Sequence, residues 1–237
     1  MQDAIDRIVA PLLDRLDAAI PAGYSAVLYG SAARGEHRPG ISDLNLLVVC
    51  ESLAPAALRH ISGAMTGLRR RRQPPPLLIE REEWERSSDV FPIEISDMQI
   101  AHTVLRGTDP VAGLTVDPAD LRRALEAELR ARLLRLRQAY AAGFDNPKLL
   151  GQAAGSTVSS IATLFRMSLV LADRPVPLQT PASLTAAGNA LGVDPRPVID
   201  VWENRGTRRC TPDLFEGYLS TVRAAVRAAD QFTRGGL

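Results

Sequence analysis

Apolar residues Ile5, Ile8, Val9, Leu12, Leu13, Leu16 and Ile20 recur at intervals of three and four, which predicts a helix from Asp3 to about Ala19 with one buried face. Pro21 and Gly23 then break the pattern. Four short apolar runs bounded by Gly, Pro or Ser follow, at Ser25–Tyr29, Leu44–Cys50, Leu77–Glu80 and Pro92–Asp97, and each is expected as a strand. Between the second and third, Pro55–Arg72 reads as a helix. This order predicts an α/β (α+β) domain with a mixed sheet over residues 1–112.

Beyond "GTDPVAGLTVDP" the pattern becomes helical throughout. Leu121, Leu125, Leu129, Leu133, Leu136 and Tyr140 form one stripe along Asp120–Ala141, whose opposite face carries six arginines. Pro147–Ala172 follows, with Gly151, Ala154, Gly155, Ser159 and Ala162 as small residues suited to close helix contact. Pro181–Leu191, Pro195–Asn204 and Pro212–Thr233 complete an all-α helical bundle over residues 113–237, expected as a substrate-binding or interaction domain.

The 237 residues suffice for two domains with real cores. With 28 basic and 27 acidic residues the chain is nearly neutral, which disfavours a nucleic acid or membrane partner. Lys148 is the only lysine, so any phosphate contact falls to arginine or backbone. Cys50 and Cys210 match no metal-binding spacing and are expected as buried thiols. The acidic, amphipathic N-terminus is unlike a signal peptide, and no apolar run reads as a membrane span, so a cytoplasmic protein is expected.

The chemistry concentrates in "LYGSAARGEHRPGISDLNLLVV". Gly30 and Ser31 end an apolar run, where a glycine lets backbone approach a ligand and offers N–H groups to phosphate. Eleven residues separate Ser31 from Asp43, and Asp43 and Asn45, two apart on a strand, share a face. Read as strand, "PIEIS" aims Glu94 away from buried Ile93 and Ile95, towards something polar. Three such side chains beside a glycine turn suit Mg²⁺ bridged to a nucleoside triphosphate.

The pattern Gly-Ser, a gap, Asp-x-(Asp or Glu), then an isolated acidic residue resembles the nucleotidyltransferase superfamily of the DNA polymerase β type. Within it "GSAARGEHRPGISD" looks most like bacterial minimal nucleotidyltransferases and kanamycin-type aminoglycoside nucleotidyltransferases. The resemblance implies that Gly30 and Ser31 hold the nucleotide phosphates, with Arg34 offsetting their charge. It makes Asp43, Asn45 and Glu94 the ligands of Mg²⁺ or Mn²⁺. Asp43 and Glu94 become the catalytic pair, Glu94 as general base on an acceptor hydroxyl. Asn45 departs from the pattern, since an amide coordinates Mg²⁺ without supplying charge.

The expected activity is metal-dependent transfer of a nucleoside monophosphate from a triphosphate to a hydroxyl of a small molecule or protein, with the acceptor between the domains. The competing expectation is a non-catalytic nucleotide-binding or regulatory protein in which Asn45 marks a degraded site. A homodimer is compatible with either. Asp97 is expected as a strand-end cap outside the metal set, and His37 as a solvated loop residue. His102 is read as an interdomain hydrogen bonder, Arg69–Arg72 as a solvated helix end, and Trp202 and Tyr218 as core. The helical half contains no histidine, which excludes a fused nuclease of the kind that pairs with minimal nucleotidyltransferases.

Overall fold

The computed structural model describes residues 2–231 and divides into two units, residues 1–115 and 116–237. The first begins with helix α1 (Gln2–Ala19), followed by strands β1 (Tyr24–Tyr29) and β2 (Asn45–Cys50) and helix α2 (Pro55–Arg70). Strand β3 (Leu77–Glu80), short helices α3 (Arg81–Glu85) and α4 (Pro92–Ile100), and strand β4 (His102–Arg106) complete it.

These strands make one mixed sheet in the order β3-β2-β1-β4, with β2 and β3 parallel and the other neighbours antiparallel. Alternation decides which side chains meet the helices. Tyr24, Ala26 and Leu28 of β1 and Leu46, Val48 and Cys50 of β2 join Leu12 and Leu16 of α1 and Ile61 and Leu68 of α2 in one buried cluster. The intervening Val27, Leu47 and Val49 are also buried, so the central strands have no polar face and read as continuous apolar runs.

One expected strand is a helix. Pro92–Asp97 lies in α4, with Pro92 in its first turn, and the fourth strand is β4 instead. Ile93, Ile95, Ser96, Asp97 and Met98 are all buried, and Glu94 and Gln99 alone are exposed, too narrow a polar face to give a helical period away.

The second unit is helical, as its periodicity requires: α5 (Pro118–Gly143), α6 (Pro147–Leu171), α7 (Thr180–Leu191), α8 (Arg196–Asn204) and α9 (Pro212–Asp230). Proline opens each, and Asp117, Asn146 and Thr211 cap α5, α6 and α9 by accepting backbone N–H bonds. The expected continuation of the last helix to Thr233 lies outside the described residues. At 25 residues α6 is long and apolar enough to cross a membrane, where no apolar run is expected to read as a span; 61% of its most apolar stretch is buried within the protein, the burial of a core helix. Gly151 shows why α6 needs small residues, because a Cβ there would lie 2.5 Å from the backbone of Arg208 and Arg209. Trp202 and Tyr218 are buried as expected, and Cys50 and Cys210 are buried free thiols.

Candidate active site

Strand register assembles the site. Tyr29 at the end of β1 lies opposite Asn45 at the start of β2, and opposite His102 at the start of β4. Because β3 runs parallel to β2, with Leu77 beside Leu47, its start lies at that same edge of the sheet. The segment after β1, the segment before β2 and the segment before β3 therefore lie side by side. They carry Gly30–Ser31, Asp43, and Arg72–Pro75 respectively.

Gly30 is buried at φ +72°, and the chain turns tightly after it, with the Arg34 N–H donating to the Gly30 carbonyl at 3.2 Å and the Glu36 N–H to Ser31 at 2.8 Å. A Cβ at position 30 would lie 2.6 Å from Nδ2 of Asn45. The glycine thus allows both the left-handed turn and the close seat of the Asn45 amide beside it. Asp43 is exposed two residues before β2, where the Leu44 N–H donates to Oε1 of Gln73 at 2.8 Å. That bond ties the approach to β2 to the loop before β3.

Arg34 is buried and donates through Nη1 to Asp97 at 3.2 Å, with Glu36 3.7 Å from its Nε. The expected phosphate contact therefore has an internal carboxylate as competitor. Asp97, read from sequence as a strand-end cap, is instead a buried helical residue joining α4 to the Gly30 turn. Glu94 is exposed on α4, on a helix instead of the expected strand. Burial chiefly, with the charges of Glu94 and Asp97, pushes the Tyr29 hydroxyl up to about 12. Glu94 therefore acts electrostatically at the β1 end of the edge.

His37 corrects another expectation. It is only 4% exposed, and its Nδ1 has no hydrogen-bond partner among the described residues. Burial holds the ring below its ordinary 6.5, with the charge of Asp43 acting in the opposite direction. The unfolded chain therefore takes up a proton near pH 6.5 that the folded chain resists, and stability falls as pH drops below that value. Thermal melting from pH about 7.5 to 5 should show this slope, and His37→Gln should flatten it. An unchanged slope in the variant would assign it elsewhere.

His102 also departs from its reading. Its ring nitrogens meet the Met98 carbonyl at 2.8 Å and Asp109 at 3.0 Å, both inside the first unit. Among the described residues no three His, Cys, Asp or Glu side chains group so as to hold a metal ion. Asp43 and Asn45 offer one carboxylate and one amide, and Glu94 sits on a separate element. A resident metal caged by the protein alone does not fit this donor set.

Residues 10–99 match the family described as nucleotidyltransferase domain. No curated protein sequence matches the chain. Among solved structures, the spectinomycin adenyltransferase AAD(9) from Enterococcus faecialis, determined with ATP and spectinomycin, is similar with a TM-score of 0.57 at 12% identity. That match covers 95% of this chain and 99% of the other, and at such low identity it speaks for the fold. The segment that carries the glycine turn and Asp43 is thus similar to a nucleotidyltransferase domain, and the chain as a whole is similar in fold to that adenyltransferase.

Proposed function

We propose that the protein transfers a nucleoside monophosphate from a triphosphate to a hydroxyl of a small molecule. The observation that carries this reading is the shared sheet edge, where the Gly30–Ser31 turn stands beside Asn45, two residues after Asp43. The matched domain family and an adenyltransferase neighbour solved with ATP and spectinomycin support it.

In the proposed reaction the acceptor oxygen bonds to the α-phosphorus, and the bond from that phosphorus to its bridging oxygen breaks. Pyrophosphate leaves with the electron pair, and the hydroxyl proton passes to Glu94 as general base and from there to water. The Gly30 turn holds the phosphates through backbone and the Ser31 hydroxyl. Asp43, with a neutral oxygen from Asn45, would hold a Mg²⁺ or Mn²⁺ bound to the triphosphate, and that ion would offset the phosphate charge. Glu94 is retained as the second catalytic carboxylate, at the β1 end of the edge.

Calorimetric titration with a non-hydrolysable ATP analogue and Mg²⁺ should give millimolar-or-tighter binding, weakened at least roughly tenfold by Asp43→Ala. Binding indifferent to Asp43 would overturn the reading. A second reading, nucleotide binding without transfer, is favoured by the lack of a three-carboxylate grouping among the described residues. Release of pyrophosphate in the presence of an acceptor separates the two.

A further inference from the structure

Four consecutive arginines, Arg69–Arg72, close α2, and the fold divides them. Arg69 and Arg72, three apart and so on neighbouring sides of the chain, line a cavity of about 530 Å³ together with Asp43, Gln73, Met65 and Leu68. Arg70 and Arg71 line a separate groove between α1 and α2. A run split between two concavities does not form the single basic stripe that tracks a nucleic acid backbone.

The first cavity has the properties of a ligand site. Its volume falls in the range of small-molecule pockets, and Met65, Leu68, Pro74 and Pro75 give it apolar walls. Among the described residues that line it, Asp43 alone is acidic. Elsewhere in the first unit Arg34, Arg81, Arg86 and Arg106 each pair with a carboxylate. Among the described residues neither Arg69 nor Arg72 has such a partner. Arg72 is also held at φ +56°, a left-handed backbone costly for a non-glycine residue, in the turn that leads to Gln73. Through its bond to the Leu44 N–H, Gln73 couples this turn to the residue after Asp43.

Position along the sheet edge gives the cavity its role. The Gly30 turn follows β1 on one side of Asp43, and the cavity precedes β3 on the other. A triphosphate on the glycine turn leaves the β3 side for the second substrate.

We infer that the cavity beside Asp43 is an acceptor pocket for a small molecule bearing a carboxylate or phosphate group, with Arg69 and Arg72 binding that anion. Its designation as the acceptor pocket rests on the nucleotidyl-transfer reading, whereas anion binding does not. Two guanidinium groups without internal partners favour an anion and repel a cationic amine. The apolar walls take the remainder of the molecule.

Phenyl phosphate, benzoate and benzylamine make a matched probe series, titrated into the full chain by calorimetry or by chemical-shift changes. The first two should bind and benzylamine should not, and the stronger of the two tells a phosphate acceptor from a carboxylate one. Arg69→Gln with Arg72→Asn should weaken anion binding at least tenfold. Both residues are exposed, and asparagine tolerates the left-handed backbone, so the variant should melt like the parent. Binding of the Mg²⁺–ATP analogue should change less than about threefold, and anion and nucleotide should bind together.

Benzylamine binding as well as the anions, or anion binding untouched by the double substitution, overturns the inference. So does equal loss of nucleotide binding, which would give the arginines to the triphosphate, or arginine-dependent binding of a single-stranded oligonucleotide in preference to the small anions. Arginine-dependent anion binding in a protein that takes no nucleotide keeps the site and removes the transfer reading.

Discussion

Arg34→Ala should lower the unfolding free energy of the first unit by about 3–5 kcal/mol, because it strands buried carboxylates. The Arg34 side chain is 6% exposed, Asp97 8% and Glu36 5%, so this cluster has little water to replace a missing partner. With the guanidinium gone, Asp97 and Glu36 face each other's negative charge without a cation between them. Asp97→Ala should cost less, since Glu36 stays 3.7 Å from the Arg34 Nε and partly offsets the loss. Replacing the pair together by Arg34→Met and Asp97→Leu should recover much of the difference, because a buried ion pair gains little over well-packed apolar groups. Urea denaturation read from Trp84, in a Trp202→Phe background that leaves one tryptophan in the first unit, measures all three. Trp84 is buried and donates its indole N–H to the Pro110 carbonyl, so its emission should follow unfolding of this unit. A loss below about 1 kcal/mol for Arg34→Ala would mean that the pair is solvated and does not join α4 to the glycine turn.

That pair also marks where sequence reading stops. Arg34 and Asp97 lie 63 positions apart, and no local pattern brings them together. Local patterns served well where one face of an element was wet: the stripe of α1, the leucine stripe of α5, and the turn-bounded apolar runs of β1, β2 and β3 were all legible. They failed at α4, where burial of most of its residues left only Glu94 and Gln99 exposed, too few to mark a helical period in a run that reads equally as strand. Pro92 and Glu94 in its first turn were the available helix signals, and the attraction of an isolated acidic residue between isoleucines outweighed them. The true fourth strand, His102–Arg106, is mostly exposed and holds only Val104 and Leu105 as apolar residues, too few to announce an edge strand. His37 was misplaced for a related reason, since a Gly- and Pro-rich turn reads as solvated until its packing is known. In the candidate site, Gly30, Ser31, Asp43 and Asn45 were legible because β1, β2 and the turn between them are continuous in sequence. Arg69 and Arg72 join Asp43 only through the parallel pairing of β3 with β2.

Asn45→Asp should have opposite effects on nucleotide binding with and without metal. The Asn45 amide nitrogen lies against Gly30, so an aspartate in the same rotamer would place a carboxylate oxygen beside the phosphate turn. Without metal, that charge repels a triphosphate, and the donor hydrogens of the amide are lost as well; binding should weaken. With Mg²⁺ present, Asp43 and the introduced carboxylate, two residues apart at the entry to β2, would together hold the ion, and affinity for the analogue should rise about 10–100-fold over the native protein. Calorimetry in Mg²⁺ and in chelator, on native and variant protein, reads both arms. Tighter binding only with Mg²⁺ would show a metal–triphosphate site whose affinity position 45 limits, and pyrophosphate release rising in parallel would extend that limit to transfer. Weaker binding in both conditions would overturn this view. The native amide would then be a phosphate donor in its own right, and Asn45 a feature of how this edge holds a nucleotide instead of the relic of a lost carboxylate.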